Sequence, residues 1–274
     1  MTTPLVSVCV PTFNGERFLA KTLESVLEQT HPRIEIIVSD DASTDGTRAI
    51  IETFRDDRVL VIDGPGGEGA HANWNAACAR ASGTYLKLLC QDDVLLPRCI
   101  SAQVGVLEAN PRASFVWSPR DVISPGGRRL LRSRGRSPDA TVTTLAEAAR
   151  RIVRSGTNPF GEPCAVLMRK ARFDAMPGFH GRYLIDLEMW IDLLRTGPAV
   201  HLDDTLSQFR ISGDSWTSRL RRHHATQFAE LASRLAGEFP DDITRADVAV
   251  GTRCAASLQR RRSLLLAMVD VARI

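Results

Sequence analysis

Apolar residues along the chain follow two rhythms that alternate. Short unbroken runs at Leu5–Val10, Ile34–Val38, Val59–Ile62 and Thr84–Leu89 have the length and flanking turn signals of buried strands. Between them the apolar positions recur every three or four residues. Phe18, Leu19, Leu23, Val26 and Leu27 mark a helix over Glu16–Gln29, and Ile50, Ile51 and Phe54 mark another, capped by Ser43 or Thr44. Asn73–Ala81 and Pro97–Ala109 complete the set, the last with proline in its first turn. Such alternation predicts an α/β domain in which helices cover both faces of a mostly parallel sheet. In sheets of this kind ligands sit beyond the carboxyl ends of the strands, so the polar residues that follow each strand are the ones to inspect.

Past Ala113–Trp117 the rhythm breaks. Residues 118–140 read as a basic excursion, Thr144–Arg154 as a helix, and Ala165–Arg169 as a strand. Asp186–Leu194 reads as a helix with Leu187, Trp190, Ile191 and Leu194 on one face; short strands follow at 199–202 and 205–211. From Ser218 onward the pattern is helical, interrupted at Pro240.

Charge sharpens this division. Residues 1–118 carry 10 basic and 15 acidic side chains, whereas residues 119–172 carry 12 basic and 4 acidic. Arg128, Arg129, Arg132, Arg134 and Arg136 fall within nine residues, and Arg219, Arg221 and Arg222 form a second patch. The first cluster fits a solvated hairpin or loop, and also a basic flap meeting phosphates of a substrate or an anionic membrane. No aromatic residues are interleaved with it and no nucleic-acid-binding motif appears, so nucleic acid is set aside. No run approaches the roughly 18 apolar residues a bilayer requires. The start, MTTPLVSVCVPTFN, does not read as a secretory leader. Cys9, Cys78, Cys90, Cys99, Cys164 and Cys254 form no C-x-x-C pair, which suits reduced thiols in a cytoplasmic protein.

Three strand ends carry candidate chemistry: Pro11-Thr12-Phe13-Asn14-Gly15, Ser39-Asp40-Asp41-Ala42-Ser43-Thr44-Asp45-Gly46, and Gln91-Asp92-Asp93. Taken singly, the second is an ordinary helix cap. Together they gather at one sheet edge. Adjacent acids such as Asp92 and Asp93 repel unless something positive lies near them. Mg²⁺ or Mn²⁺, a hard cation that shares oxygen ligands with phosphates, would satisfy that need beside a nucleoside diphosphate. The nucleotide base could stack on Phe13.

The order and spacing of these segments resemble the family 2 glycosyltransferases of the GT-A fold, over about residues 4–212. The resemblance implies that Asp41 contacts uracil and that Pro11, Thr12, Phe13 and Asn14 line the same nucleotide pocket. It implies that Asp93 binds the metal, that Asp92 meets the ribose or the metal indirectly, and that Gln91 replaces an acid common at that position. It places the catalytic base at Asp186, in Tyr183-Leu184-Ile185-Asp186-Leu187-Glu188-Met189-Trp190, with Ile185 where an acid is usual. An N-cap role is the bland alternative for Asp186, and Glu188 is the fallback base. Glu162, Glu188 and Trp190 are acceptor-side candidates, although Trp190 also suits the core. Ser212 stands where relatives often carry a metal-binding histidine, and Arg210 beside it is a candidate phosphate ligand. His71 reads as an ordinary helix-start histidine, and Gly64–Gly69 as a flexible crossing.

The expectation is a cytoplasmic inverting transferase that uses a UDP- or dTDP-sugar, sited in the cytoplasm or at the inner face of the membrane. Residues 1–214 would form the GT-A domain (1–112 for the nucleotide-sugar, 113–214 for the acceptor) and residues 215–274 a helical extension. The acceptor class stays open among carbohydrate, lipid-linked and natural-product hydroxyls. Arg260, Arg261 and Arg262 followed by Leu264, Leu265, Leu266, Met268 and Val269 could contact a membrane or a second copy of the chain. Two alternatives remain, a sugar nucleotidyltransferase and a non-catalytic nucleotide-sugar-binding scaffold. The first normally needs a glycine-rich loop after its first strand, and Pro11–Gly15 is not one.

Overall fold

In the computed structural model, residues 2–137, 142–181, 183–213 and 223–272 are described, the last with side chains through Leu264. Arg219–Arg222 and the side chains of Leu265, Leu266, Met268 and Val269 therefore lie outside the described residues.

The first half builds as the alternating pattern predicts. Strand β1 (Val6–Thr12) is followed by α1 (Leu19–Leu27), β2 (Ile34–Asp40), α2 (Thr47–Thr53), β3 (Val59–Asp63), α3 (Ala70–Ala79) and β4 (Tyr85–Leu88). A short β5 (Val94–Leu95) and α4 (Cys99–Ala109) come next. β1 pairs in parallel with both β2 and β4, and β2 pairs in parallel with β3. β1 is buried on both faces. Val6, Val8 and Val10 pack with α1 and α4, while Cys9 faces Ala77 and Cys78 of α3. That double burial explains why the strand appears in sequence as a nearly continuous apolar run.

The second half contributes β6 (Phe115–Trp117), β7 (Arg120–Ile123), β8 (Arg129–Arg134), β9 (Val142–Thr143) and α5 (Leu145–Ser155). A 3₁₀ turn at Pro163–Ala165 leads into β10 (Val166–Arg169), α6 (Lys170–Phe173), α7 (Ile185–Thr196), β11 (Ala199–His201) and β12 (Ser207–Arg210). Two helices, α8 (His224–Glu238) and α9 (Arg245–Ala272), follow. The main sheet has eight strands in the order β3-β2-β1-β4-β10-β6-β11-β9, and β10 runs antiparallel to both β4 and β6. Strand order reverses at β1, which puts a crevice beyond the ends of β1, β2 and β4. The basic excursion forms the β7–β8 hairpin of a second, four-stranded sheet ordered β5-β12-β7-β8.

α5 shows why its boundaries were readable. Thr144 and Glu147 make a reciprocal capping box at its start, and Gly156 takes a left-handed φ of 68° at its end. α9 crosses α5 very closely. A Cβ on Gly251 would lie 1.6 Å from the Val153 carbonyl oxygen, so only glycine permits this approach. Phe228, Leu231, Ala232 and Leu235 of α8 join the core that α5 and α7 build on the same sheet face.

Candidate active site

The loop after β1 is held by a side chain from 78 residues later. Gln91 Oε1 accepts from Thr12 Oγ1 (2.5 Å) and from the Phe13 N–H (2.8 Å), and Gln91 Nε2 donates to the Phe13 carbonyl (3.0 Å). A carboxylate could not make that last bond, because it has no proton to give. Gln91 is thus a two-way clamp on the chain beneath Phe13, whose ring is 46% exposed toward the cleft. Asn14 adopts a left-handed φ of 48°; its N–H donates to Ser43 Oγ (2.9 Å) and its Oδ1 accepts from the Thr44 N–H (2.8 Å). These bonds fasten the loop after β1 to the loop after β2. Asp41 is buried; its Oδ1 accepts from the N–H groups of Gly66 (2.7 Å) and Gly67 (3.0 Å), which fixes the glycine crossing across the pocket.

Asp93 lies at the sheet end with no exposed surface. Its Oδ1 accepts from the Arg210 N–H (3.0 Å), while its Oδ2 is buried without a hydrogen-bond partner. Burial, and then the adjacent Asp92, hold the Asp93 carboxyl well above the usual range. Burial likewise raises Asp92 to about 6. An orphaned buried carboxylate oxygen costs free energy unless something fills the place beside it. Among the described residues no group of three His, Cys, Asp or Glu could hold a metal without help. The arrangement fits a divalent cation that takes one protein oxygen from Asp93 and the rest from diphosphate and water. Arg210 does not serve as a free phosphate ligand. Its Nε donates to the Asp92 carbonyl (2.8 Å), its Nη1 to the Ser124 and Pro125 carbonyls (3.0 Å each), and its guanidinium stacks 4.7 Å over Phe18.

At the opposite wall, Asp186 sits in the first turn of α7. Leu184 occupies the N-cap position, so Asp186 is not the N-cap residue. Its Oδ1 accepts from the Leu187 N–H (2.8 Å) and its Oδ2 from Asn158 Nδ2 (2.9 Å). Burial, followed by the negative charge of Glu162, raises this carboxyl to about 6 against those hydrogen bonds. Glu162 behaves oppositely. Burial alone would raise it, but Arg120 and Arg134 outweigh burial and bring it down to about 2. Arg120 is almost wholly buried and donates through Nε to Glu162 Oε2 (2.5 Å). Two carboxyls with separated titration therefore stand side by side, one permanently charged and one near neutrality.

All three walls meet in one cleft of about 460 Å³. Pro11, Thr12, Phe13, Asn14, Asp41, Gln91, Asp92, Asp93, Glu162, Asp186 and Ser212 line it, together with Trp74 and Tyr183. Two acceptor-side candidates lie outside it. Trp190 is fully buried, donating through Nε1 to the Gly161 carbonyl (3.1 Å), and Glu188 pairs with Arg234 of α8. Neither lines the cleft: Glu188, two positions after Asp186, lies on another face of the first turn, and Trp190, four positions after it, lies one turn deeper.

The sequence model of the family described as "Glycosyl transferase family 2" matches residues 7–176. The chain belongs to that family. This glycosyltransferase is 31% identical over 120 residues to "UDP-Glc:alpha-D-GlcNAc-diphosphoundecaprenol beta-1,3-glucosyltransferase WfgD" of Escherichia coli, a match covering 44% of the chain and 47% of the relative. Its fold resembles that of S. aureus TarS 1-349 in complex with UDP-GlcNAc, with a TM-score of 0.65 and 20% identity over 92% of this chain and 71% of that one. It also resembles mannosyltransferase PcManGT from Pyrobaculum calidifontis in complex with GDP-Man and Mn²⁺, with a TM-score of 0.62 and 18% identity over 99% and 81% of the two chains.

Several residues in or behind the cleft of the glycosyltransferase escape a sequence reading. Asn158 reaches Asp186 from a Thr157-Asn158-Pro159 turn that signals only a bend. Asn73 ties β1 to β2 by donating to the carbonyls of Thr12 and Ser39 (3.2 Å each). Arg120 pairs with Glu162 across 42 residues, a separation that no local pattern reveals.

Proposed function

We propose that this enzyme transfers a sugar from a UDP- or dTDP-sugar to an acceptor hydroxyl in one in-line displacement, with inversion at the anomeric carbon. What carries this reading is the position of Asp186, a half-buried carboxyl raised to about 6, across a single cleft from Asp92 and Asp93. In the ionised form Asp186 accepts the acceptor's O–H proton as that oxygen bonds to the anomeric carbon and the bond to the diphosphate oxygen breaks. Asn158 and the Leu187 N–H hold the carboxylate in place, so little reorganisation accompanies the transfer. Asp41 and the exposed face of Phe13 bind the uracil or thymine, and Asp92 bonds the ribose. Mg²⁺ or Mn²⁺, when held by Asp93, supplies charge neutralisation for the departing diphosphate. With Asp93 as the main protein ligand, Ser212 in the usual histidine position is consistent with a cation bound mostly by phosphate and water.

Residues 1–214 form the transferase domain in this reading, and the helices after it complete the acceptor wall: Arg262 of α9 donates to Tyr183 Oη (3.2 Å) at the cleft. A lipid-linked acceptor is favoured, since the relative from Escherichia coli is named for a diphosphoundecaprenol substrate. Work on such an acceptor would bring the enzyme to the cytoplasmic face of a membrane; no helix among the described residues is long and apolar enough to cross one.

The decisive experiment titrates UDP-, dTDP- and GDP-sugars calorimetrically with Mn²⁺ and measures turnover of wild type and Asp186→Asn. Uridine or thymidine donors should bind best, the variant should bind them equally while losing about 10²- to 10⁴-fold in turnover, and the product should have inverted anomeric configuration by NMR. Preference for GDP-sugars, or full turnover by the variant, would refute it.

A further inference from the structure

Five carboxyls line the cleft, those of Asp41, Asp92, Asp93, Glu162 and Asp186, and among the described residues that line it Arg17 alone carries positive charge. Arg17 lies in the turn between β1 and α1, and that turn is anchored. The Gly15 N–H donates to Thr47 Oγ1 (2.7 Å), the Glu16 N–H to Asp45 Oδ2 (3.2 Å), and Glu16 Oε2 accepts from the Gly46 N–H (2.7 Å). From there the Arg17 guanidinium rests 4.9 Å over the Phe18 ring. The same ring carries the Arg210 guanidinium at 4.7 Å, yet the two arginines differ. Arg210 is buried and spent on the carbonyls of Asp92, Ser124 and Pro125. Arg17 is exposed, and no hydrogen bond or ion pair among the described residues takes its guanidinium. Its place in the cleft is fixed by its neighbours. The Arg210 N–H donates to Asp93 Oδ1 (3.0 Å), and Thr22 Oγ1 of α1 reaches the carbonyls of Gln91 and Asp93 (2.8 Å each). Phe18 and the arginines upon it therefore stand beside Asp92 and Asp93.

We propose that Arg17 binds the diphosphate of the donor and stabilises it as it departs. The proposal rests on the transferase reading above and adds a residue to its donor site. Carboxyls crowded around a cleft make the entry of an anion costly, and a divalent ion held mainly by Asp93 offsets only part of that charge. When the bond between the anomeric carbon and the diphosphate oxygen breaks, its electron pair stays on that oxygen. The leaving nucleotide then carries one negative charge more than the donor did. Arg17 keeps its proton throughout; its N–H groups donate to non-bridging phosphate oxygens, and those bonds strengthen as the charge develops. A guanidinium suits this task, because its planar edge can meet two phosphate oxygens while its face stays on Phe18. The stack exists before the donor arrives, so little side-chain freedom is lost on binding. An exposed arginine elsewhere on the surface would simply be solvated. This one differs in being the cleft's own counter-charge, already braced and with its donors unspent.

The test measures binding of uridine and UDP by calorimetry, in EDTA and with Mg²⁺, to wild type, Arg17→Gln, Arg17→Lys and the exposed hairpin control Arg128→Gln. Arg17→Gln should weaken UDP binding about tenfold in both media, the loss expected for one charge-assisted hydrogen bond, and leave uridine binding unchanged. Arg17→Lys should recover part of that loss, and Arg128→Gln should change neither affinity. All three variants should melt near the wild-type temperature, because Arg17 is exposed and strands no carboxylate, which separates a ligand role from a structural one. At saturating donor the kcat of Arg17→Gln should fall too, since the leaving charge is larger in the transition state than in the bound donor. Equal loss for uridine and UDP would assign Arg17 to the base and overturn the proposal, as would a UDP affinity unaltered in Arg17→Gln. The diphosphate is common to uridine and guanosine donors. If the wild type prefers GDP to UDP, the uracil reading fails, and the same comparison made with guanosine and GDP still tests Arg17. A wild type that binds none of these nucleotides would overturn both.

Discussion

Replacing Glu162 by Gln should move the acid limb of catalysis downward, although Glu162 itself transfers no proton. With Asp186 at about 6, roughly nine-tenths of it is ionised at pH 7 and about one-tenth at pH 5, so turnover should fall nearly tenfold between those values. After burial, the charge of Glu162 is the largest influence raising Asp186, and Arg120 is among those lowering it. Glu162→Gln removes the first and frees the second, so both effects have the same sign. One neighbouring charge in such a site is worth on the order of one unit, which puts the limb near 5 and reduces the fall from pH 7 to pH 5 to about twofold. The assay is the rate of sugar transfer at saturating donor from pH 4.5 to 8. Donor affinity is measured in parallel, because Asp92 is also raised to about 6 and its protonation would show in donor binding instead. The substitution leaves Arg120 buried without its counter-ion, at a cost of about 3 kcal/mol, so melting curves must accompany the kinetics. Asn158→Ala removes a bond that favours the ionised form and should shift the limb the other way. A limb that stays in place in both variants, or that survives in Asp186→Asn, would refute Asp186 as the titrating base.

Three further outcomes are expected. Asp93→Asn should abolish stimulation by Mn²⁺ and cut transfer at least 100-fold, yet raise the melting temperature at neutral pH, since burial disfavours the charged carboxyl; calorimetry with and without the ion reads both. Gln91→Glu loses the bond to the Phe13 carbonyl and adds charge beside Asp92, so the donor KM should rise several-fold, matching the ~1 kcal/mol of one hydrogen bond, with little change in kcat. Gly251→Ala drives a methyl group into the Val153 carbonyl and should destabilise the fold by about 3 kcal/mol or more while weakening acceptor affinity through the displaced Arg262; an unchanged melting temperature would contradict the close crossing of α5 and α9.

The nucleotide half was legible because burial on both faces makes β1, β2 and β4 read as apolar runs, and because Asp41 directly follows β2 while Gln91, Asp92 and Asp93 come shortly after β4. The β7–β8 hairpin was expected only as a solvated hairpin or loop, without strand limits. In β8 the sequence Arg-Leu-Leu-Arg-Ser-Arg places partly or wholly exposed residues throughout, so no period of two survives in it. The acceptor wall was only half visible. Asp186 opens a helix with a recognisable neighbourhood, but its partners Asn158, Glu162 and Arg120 arrive from separate turns and strands, and a sequence pattern carries no record of such meetings. Arg210 was misjudged because exposure could not be read from sequence: a lone arginine after a strand suggests a phosphate ligand, whereas here it is spent on the carbonyls of Asp92, Ser124 and Pro125.

The clamp made by Gln91, Asn14 and Ser43 joins neighbouring loops of a single continuous sheet, while the opposite wall draws on β7, the 3₁₀ turn, α7 and α9. Mutation can therefore rework the second group piece by piece without unsettling the first. A lineage built on this plan can change what it glycosylates while keeping the nucleotide it spends, and chimaeras joined just before β6 should inherit donor choice from one parent and acceptor choice from the other.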